Sequence, residues 1–375
     1  MVRFVHTADW QLGMRRHFLS ADAQGRFSQD RLDAVAALGA LARDEGAAFV
    51  VVAGDVFDDN QVDRQTVLRT MEVLRDFGHL PVFLLPGNHD PLNAGSIYTS
   101  DDVVAQLPPN VHVVSDSQPI AVADGVEVVG APWRVKWPTH NPLLEVLEQL
   151  EPPPGVRIVL AHGGVDALGG EFDQVGTLRL EDLEAAVTDG LAHYIALGDR
   201  HSVTDVGSTG RIHYSGAPEP TAYTELDPGK VLLVDVDIDR VEVQPHRVGR
   251  WMFRQQRFDV GGEEDLDAVL RWLDEPGDKP HTVAKLGLRG SLPLRDLARL
   301  EEALAAASET YGALERWDRN WDLITAPDDE DLDAMQVGGF VADAVQDLRQ
   351  LAQAGDDAQA ASDALALLYR TVVRT

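Results

Sequence analysis

Five short apolar segments, each followed at once by polar residues, constrain the fold of this chain more than any other feature. The segments lie at residues 3–6, 48–53, 81–85, 157–161 and 194–197. Two of the intervening stretches, 29–45 and 62–77, carry apolar residues at helical spacing. Continuous apolar strands that alternate with amphipathic helices are typical of a sheet covered on both faces. The pattern therefore predicts an α/β fold.

The length of 375 residues corresponds to about two domains, at roughly 100–200 residues for each. We expect the first domain to span residues 1–258 and to end in a β-hairpin formed by 231–236 and 241–246. The second domain is expected to span residues 259–375. Its pattern predicts helices at 265–274, 294–308, 340–354 and 358–373, and a strand at 282–288.

The charge balance bears on which partners the chain can attract. Lys plus Arg number 32 and Asp plus Glu number 62, which gives a net charge of −30. Such a chain does not coat nucleic acid or an anionic membrane by bulk attraction, although a local metal site can still bind a phosphate. The first 258 residues carry a net charge of −16 and the remaining 117 carry −14, so the acidity is concentrated in the second domain.

The chain contains no cysteine, which excludes disulfides, thiolate zinc sites and cysteine nucleophiles. A chain without cysteine fits a reducing compartment, and we expect a cytoplasmic protein. The longest apolar runs are about seven residues, far below the roughly 18 needed to span a bilayer. No membrane segment is therefore expected.

Polar residues with metal-ligand chemistry follow each of the five apolar segments. In chain order they are Asp9 and Gln11; Asp55; Asn88, His89 and Asp90; His162; and Asp199, Arg200 and His201. Because ligand sites in open α/β sheets form beyond the carboxyl ends of the strands, we expect these side chains to converge on one edge. Adjacent glycines let the backbone turn sharply there.

The types of residue at this edge indicate the chemistry. Carboxylates, imidazoles and amide oxygens without sulfur suit harder divalent ions such as Mn²⁺, Mg²⁺ or Fe²⁺, and zinc also accepts such ligands. A carboxylate between two ions can bridge them. Two ions roughly 3.5–4 Å apart clamp a phosphoryl group and activate a water molecule near neutral pH. The pattern thus favours a two-metal phosphoester site.

In this order the motifs resemble those of the calcineurin-like metallophosphoesterases. The segment 6–13, HTADWQLG, is similar to the opening of the SbcD branch, bacterial relatives of the Mre-eleven DNA-repair nucleases. The segments 54–58, GDVFD, and 214–218, YSGAP, fit the same branch, and 87–90, GNHD, is the most specific. The resemblance covers residues 1–250. It implies a four-layer αββα sandwich, with the acidic residues 259–375 forming a smaller C-terminal α/β capping domain.

The resemblance also implies a role for each site residue. Asp9 and His201 would bind the first ion, and Asp55 would bridge both ions. Asn88 and His162 would bind the second ion. His89 would be the catalytic histidine, oriented through its ring nitrogen by Asp90. From its position inside the last motif, we expect Arg200 to contact the substrate phosphate.

Two positions depart from the family pattern. The first motif usually reads Asp-x-His, whereas this chain has Gln11, and the last usually reads Gly-His-x-His, whereas it has Asp199. Gln11 can offer one amide oxygen, a weaker ligand than imidazole, so the first ion is expected to bind weakly. Asp199 can replace a histidine at the second ion and adds negative charge there. The oxygen-rich set favours Mn²⁺ or Mg²⁺ over zinc, with Mn²⁺ as the expected metal of both ions.

The resemblance implies hydrolysis of phosphodiester bonds in DNA, as an exonuclease or endonuclease subunit in DNA repair. It implies a long coiled-coil ATPase partner of the SMC type, similar to SbcC, that supplies DNA affinity, and it raises the question of a homodimer. Candidate contacts to the DNA backbone are Arg15, Arg16 and His17 after the first motif, and Arg134 and Lys136 after a later strand, with Trp133 or Trp137 stacking on a base. Two alternatives stay open: a phosphodiesterase or phosphatase for nucleotides or other small phosphoesters, and a scaffold that has lost catalysis.

Overall fold

The structure is a computed structural model, which describes residues 1–139, 141–169, 176–325, 332, 338–353 and 358–373. The chain divides into two compact units. The first comprises Met1–His17 and Gln24–Trp251, and the second comprises Phe18–Ala23 and Met252–Thr375.

The first unit is built from two six-stranded sheets. Its strands are β1 (Val2–Thr7), β2 (Val50–Val52), β3 (Val82–Leu84), β4 (Val111–Val113), β5 (Ile120–Ala123), β6 (Val126–Gly130), β7 (Val156–His162), β8 (Tyr194–Gly198), β9 (Thr204–Asp205), β10 (Ile212–Tyr214), β11 (Lys230–Val236) and β12 (Val241–Arg247). The helices are α1 (Ala21–Asp44), α2 (Arg64–Arg75), α3 (Asp101–Gln106), α4 (Pro142–Leu147) and α5 (Leu180–Thr188). The first three residues of α1 belong to the second unit.

Both sheets are mixed. The first has the order β12–β11–β1–β2–β3–β4, with β1 to β4 parallel and the hairpin β11–β12 antiparallel at one edge. The second has the order β5–β6–β7–β8–β10–β9, in which β6, β7, β8 and β10 are parallel. Parallel strands end on the same side of their sheet, so the polar residues after β1, β2, β7 and β8 can gather there.

Three clusters of buried apolar side chains hold this unit together. One lies between the first sheet and helices α1 and α2, and contains Val50, Val52, Val35, Leu38, Met71 and Leu74. The next joins the facing sides of the two sheets and contains Phe4, Val51, Phe83, Ile158, Leu160 and Tyr194. The last lies between the second sheet and helices α4 and α5, and contains Val159, Leu197, Leu143, Val146, Leu183 and Ala186. Helices thus cover the outer face of each sheet.

The second unit has its own core around a three-stranded parallel sheet, β13–β14–β15. Its elements are β13 (Met252–Val260), α6 (Glu263–Asp274), β14 (Thr282–Leu292), α7 (Leu294–Thr310), β15 (Ala313–Thr325), α8 (Phe340–Gln353) and α9 (Ala358–Val373). Helices α6 and α7 bury Leu266, Val269, Leu300 and Ala307 against Leu286 and Leu288 of the central strand.

The predicted α/β class is confirmed, and the five apolar segments form strands β1, β2, β3, β7 and β8. Strand β13 was not predicted, because its centre, residues 254–257, is entirely polar. The units divide at Trp251 and Met252, seven residues before the predicted boundary, since β13 pairs with β14 along its whole length. In the described part of the chain, no helix has the length and apolar character needed to cross a membrane.

Candidate metal centre

Three buried side chains from two sheets meet at the carboxyl ends of the strands. Asp9 follows β1, Asp55 follows β2, and His162 is the last residue of β7. One ligand atom from each lies within 4.8 Å of the others. Two carboxylates and an imidazole at this spacing form a set that can hold a divalent ion.

The backbone at this edge is strained. Asp9, Gln11, Asp55 and Asp199 have φ angles of 55°, 43°, 55° and 96°. Among the residues that the structure describes, Asp227 is the only other non-glycine residue with positive φ. Each such conformation costs about 1–3 kcal/mol and persists only where its surroundings enforce it. Hydrogen bonds do so here: the Asp9 amide donates to Gly54 O and the Gln11 amide donates to Asp55 O.

On one side of the centre, Asp9 faces His201 and Gln11. His201 Nε2 lies 3.6 Å from Asp9 Oδ1 and 3.4 Å from Gln11 Nε2. The Asp199 amide donates to both carboxylate oxygens of Asp9, at 3.1 Å each. Gln11 Oε1 is buried and has no hydrogen-bond partner. A buried oxygen without a partner is costly, and a cation beside it would remove that cost.

On the other side, His162 is surrounded by oxygen atoms. Its Nδ1 donates to the carbonyl of Ala53 at 2.8 Å, which turns Nε2 toward the centre. Nε2 lies 2.9 Å from Asn88 Oδ1, 3.5 Å from Asp55 Oδ2 and 3.8 Å from Asp199 Oδ1. A histidine held through one ring nitrogen by a carbonyl presents the other as a ligand, as in protein metal sites.

Excess negative charge dominates the electrostatics of the centre. Burial opposes the charged form of His162, but the Asp55 carboxylate overcomes it and raises the pKa of His162 well above its usual value. Burial likewise opposes the charged form of His201, yet Asp9 raises the pKa of His201 to about 10. The carboxylates thus favour the protonated form of both imidazoles, and a divalent ion would take over this role and displace protons from the ligands. The residues fit a metal centre.

The glycine before Asn88 leaves room for the Asp55 carboxylate. A Cβ atom at Gly87 would lie 2.1 Å from Asp55 Oδ1 and 2.6 Å from its amide nitrogen. We expect Gly87→Ala to displace Asp55 and to weaken Mn²⁺ binding at least tenfold, while the fold is kept. Calorimetric Mn²⁺ titration and far-UV circular dichroism measure the two effects.

Gly25→Ala in helix α1 is the matched control, because a Cβ atom at Gly25 meets nothing within 4 Å. It should leave Mn²⁺ affinity unchanged and stabilise the helix by up to about 1 kcal/mol. Unchanged metal affinity in Gly87→Ala would show that Asp55 is not held where the structure places it.

His89 lies beside the centre without being one of the converging ligand groups. Its amide donates to Asp55 Oδ1 at 3.0 Å. Its ring Nδ1 lies 2.7 Å from the carbonyl oxygen of Asp58 and donates to it, so Nε2 is the nitrogen left for contact with a substrate. The predicted orientation of this ring by Asp90 is therefore corrected: a backbone carbonyl holds it.

Asp90 instead holds two loops next to the site through hydrogen bonds to their backbone amides. Its carboxylate accepts hydrogen bonds from the amides of Gly87 and Phe57, at 2.8 and 3.0 Å, and from the Tyr98 hydroxyl at 2.6 Å. Burial, together with the Asp55 charge, raises the pKa of Asp90 to about 6. Asp90 thus positions the Gly87–Asp90 loop rather than the histidine ring.

The remaining predicted contacts differ in exposure. Arg200 donates from Nε to Thr204 Oγ1 at 2.9 Å. Trp133 is buried and its indole N–H donates to His162 O at 2.8 Å, so it packs beneath a ligand and is not free to stack on a base. Trp137 is 77% exposed.

Several groups that hold the side chains of the site were not predicted from the sequence. The carbonyls of Ala53 and Asp58 orient two histidines, and any residue type can supply a carbonyl. Glu225 and Thr221 contact His201 Nδ1 at 2.8 and 2.7 Å from a loop that carries no strand-end pattern. Only the three-dimensional fold brings these groups to the site.

Two facing mixed sheets with a buried Asp–His cluster at their strand ends define a metallophosphoesterase. Residues 2–203 match the calcineurin-like phosphoesterase family, and the chain belongs to this family. It is similar to the SbcD subunit of the nuclease SbcCD from Bacillus subtilis, at 24% identity over 80% of this chain and 83% of the relative. The SbcD subunit from Rhodobacter capsulatus is 26% identical over 81% of this chain and 85% of the relative.

An archaeal relative extends the comparison. The DNA double-strand break repair protein Mre11 of Haloferax volcanii is 26% identical to this chain, over 77% of this chain and 62% of the relative. The resemblance to the SbcD and Mre11 branch that the motifs indicated is thus confirmed.

Proposed function

We propose that this chain is the nuclease subunit of a DNA-repair complex and hydrolyses phosphodiester bonds in DNA with two divalent ions, Mn²⁺ first among them. The observation that carries the proposal is the meeting of Asp9, Asp55 and His162 at the strand ends, with His89 next to them and its amide bonded to Asp55 Oδ1. Metal ligands and a nearby group that can donate a proton both accelerate phosphodiester hydrolysis.

Each group of side chains at the site would have its own role. Asp9, Gln11 and His201 would hold the first ion, Asn88, His162 and Asp199 the second, and Asp55 would face both. When bound, such ions activate water for attack and stabilise negative charge on the phosphoryl oxygens. His89 is held through its Nδ1–H, so Nε2 is the nitrogen that would face the substrate, and in the imidazolium form it would donate a proton to the leaving oxygen. Arg200, between Asp199 and His201 in the chain, would contact the phosphate.

The segment that follows Trp133 supports nucleic acid as the substrate. Trp133 is hydrogen-bonded to His162 O, and Trp137, four residues on, can lie no more than about 14 Å away along the chain. Arg134 and Lys136 are exposed, as is Trp137, so two cations precede an exposed aromatic residue within four positions of a strongly acidic protein. Cations with an exposed aromatic ring are the elements that bind single-stranded nucleic acid.

Trp137→Ala should weaken binding of single-stranded DNA by about 1–3 kcal/mol, or about 5- to 150-fold, because a base loses its stacking partner. Fluorescence anisotropy with a labelled oligonucleotide measures this change. Hydrolysis of bis(p-nitrophenyl) phosphate, which needs no stacking surface, should stay unchanged.

Two control variants accompany this prediction. Trp137→Phe keeps an aromatic face and should retain most of the affinity. Ile238→Ala removes another exposed apolar side chain, 55% exposed, and should have no effect. DNA affinity that is equal in all variants would remove the segment 134–137 from the proposed interface.

The proposal includes a partner of the SMC-type coiled-coil ATPase class. The name of the Bacillus subtilis relative describes it as one subunit of a nuclease, SbcCD. A chain with a net charge of −30 lacks long-range attraction for DNA, so a second subunit that delivers the DNA fits the charge balance.

Cleavage of linear, end-labelled DNA in Mn²⁺, with and without the ATPase partner, tests the proposal. We expect Mn²⁺-dependent degradation that the partner accelerates. Turnover of cyclic nucleotides or phosphopeptides without any DNA cleavage would overturn the DNA assignment and leave a small-molecule phosphodiesterase or phosphatase. Absence of hydrolysis on all three substrates would favour the scaffold alternative.

A further inference from the structure

His201 is held from behind by a buried carboxylate. Glu225 Oε1 lies 2.8 Å from His201 Nδ1, and the Glu225 side chain is only 6% exposed. Thr221 Oγ1 lies 2.7 Å from the same ring nitrogen. Because Nδ1 donates to these oxygens, Nε2 is the ring nitrogen that faces Asp9.

The loop that carries these two residues is fastened to the segment around His201. The Glu225 carboxylate accepts hydrogen bonds from the Thr221 amide, at 2.9 and 3.1 Å, and from the Thr221 hydroxyl. The Leu226 amide donates to Ser202 Oγ at 2.8 Å, and the Ala217 amide donates to His201 O at 3.3 Å. These hydrogen bonds fix the position of Glu225 against the His201 ring.

Two arginines hold the same loop from the other side. Arg31, of which 2% is exposed, donates from Nη1 to Glu219 O at 3.2 Å, and the half-buried Arg16 donates to Thr221 O. Two carbonyl groups of the loop are thus engaged by arginines, while the Glu225 carboxylate contacts both Thr221 and the histidine. The loop thus places the Glu225 carboxylate next to His201 Nδ1.

We propose that Glu225 is a positioning residue for the first metal ion: it fixes His201 with Nε2 toward Asp9, and its charge strengthens His201 as a ligand. The inference rests on the proposed metal site. A carboxylate behind a ligating histidine fixes the orientation of the ring and makes the free nitrogen more basic, and the loss of such a partner lowers metal affinity about 10- to 100-fold.

The reason for a carboxylate behind His201 lies in the ligand set of this particular chain. The first-ion side offers the Gln11 amide where the family pattern has an imidazole, so Asp9 and His201 carry more of the binding there. Glu225 adds a negative charge to that side without occupying a ligand position. On the second-ion side, His162 Nδ1 is held by the neutral carbonyl of Ala53, so the two histidines are supported differently.

Two variants separate the charge of Glu225 from its hydrogen bond. Glu225→Gln keeps an acceptor oxygen of the same reach and removes the charge, whereas Glu225→Ala removes both. Glu181→Gln makes the same change in net charge at a side chain that is 82% exposed, and serves as the matched control. All variants are made in the full chain, and thermal unfolding checks the fold of each.

The test is a Mn²⁺ titration followed by calorimetry and by electron paramagnetic resonance. We expect the wild type and Glu181→Gln to bind two ions and to show the spectrum of a spin-coupled pair. Glu225→Gln should weaken one ion about tenfold and Glu225→Ala about 100-fold, with the other ion unaffected. At Mn²⁺ concentrations that just fill both wild-type sites, both variants should show the spectrum of a single, uncoupled ion.

Two results would overturn the inference alone: two ions bound by Glu225→Gln as tightly as by the wild type, or equal weakening of both ions together with a lower unfolding temperature. The second would show that Glu225 supports the fold and not one ligand. A wild-type chain that binds no Mn²⁺ would contradict the proposed function itself, and the inference with it.

Discussion

Replacing Asp55 with asparagine should remove the paired metal ions and lower phosphodiester hydrolysis by about 1,000-fold or more. The Asp55 carboxylate is buried and points both toward His162 Nε2, at 3.5 Å, and toward the amide of His89, at 3.0 Å. An amide in its place keeps the shape and loses the charge that holds the ions. Bound ions contribute several kcal/mol to transition-state stabilisation, and each 1.36 kcal/mol is a factor of about ten in rate.

Two measurements check the Asp55→Asn variant: hydrolysis of bis(p-nitrophenyl) phosphate in Mn²⁺, and the metal content of the purified protein. Asp239→Asn, at an exposed turn, makes the same chemical change away from the centre and should behave as the wild type. An Asp55→Asn protein that still binds two ions and turns over at the wild-type rate would show that the centre lies elsewhere.

His89→Gln should have the second largest effect, and a different one: both ions stay bound while the rate falls about 100- to 10,000-fold. The amide that donates to Asp55 is a backbone group and survives the substitution. What disappears is the ring whose Nδ1 is held by Asp58 O and whose Nε2, in the imidazolium form, can protonate a leaving oxygen. Mn²⁺ titration and cleavage of labelled DNA, measured on one protein preparation, separate the two properties.

The leaving group provides the internal control for His89. A p-nitrophenolate leaves without a proton, whereas a sugar alkoxide needs one, so the deficit of His89→Gln should be much smaller on bis(p-nitrophenyl) phosphate than on DNA. Equal deficits on the two substrates would mean that His89 is not the proton donor. Loss of metal would mean that it is a ligand.

The parts of the fold that sequence reasoning predicted are those with a strong local signal. Strands such as β2 and β3 are continuous β-branched or apolar runs, and each is followed by a distinctive polar motif, so both the strand and the ligand can be inferred together. Strands β9 and β13 have mixed composition and exist because neighbouring strands pair with them. Tertiary pairing overrides local propensity at such positions.

The site was predictable where chemistry resides in side chains. Asp9, Asp55, His162 and Asn88 converge as the strand ends indicate. The role of Asp90 was wrong, because its neighbour along the chain, His89, turns its ring toward the Asp58 carbonyl, while Asp90 points at the amides of Gly87 and Phe57. Adjacency in sequence does not determine which way two successive side chains point.

The metal centre accounts for part of the net charge of −30. Part of the excess consists of the carboxylates of Asp9, Asp55 and Asp199, and the carboxylates beside His162 and His201 raise the pKa of both histidines. Divalent ions would neutralise these same groups. Acidity at this edge of the sheets is therefore a property of a metal centre and does not exclude a phosphate substrate.

The central claim is that this chain holds a pair of divalent ions at the strand ends, and the metal stoichiometry tests it most directly. Purified wild-type protein and the Asp55→Asn variant are each saturated with Mn²⁺, freed of unbound ions and measured by elemental analysis. The account predicts two Mn²⁺ per wild-type chain and a loss of both in the variant. A wild-type chain that retains no Mn²⁺ would contradict it.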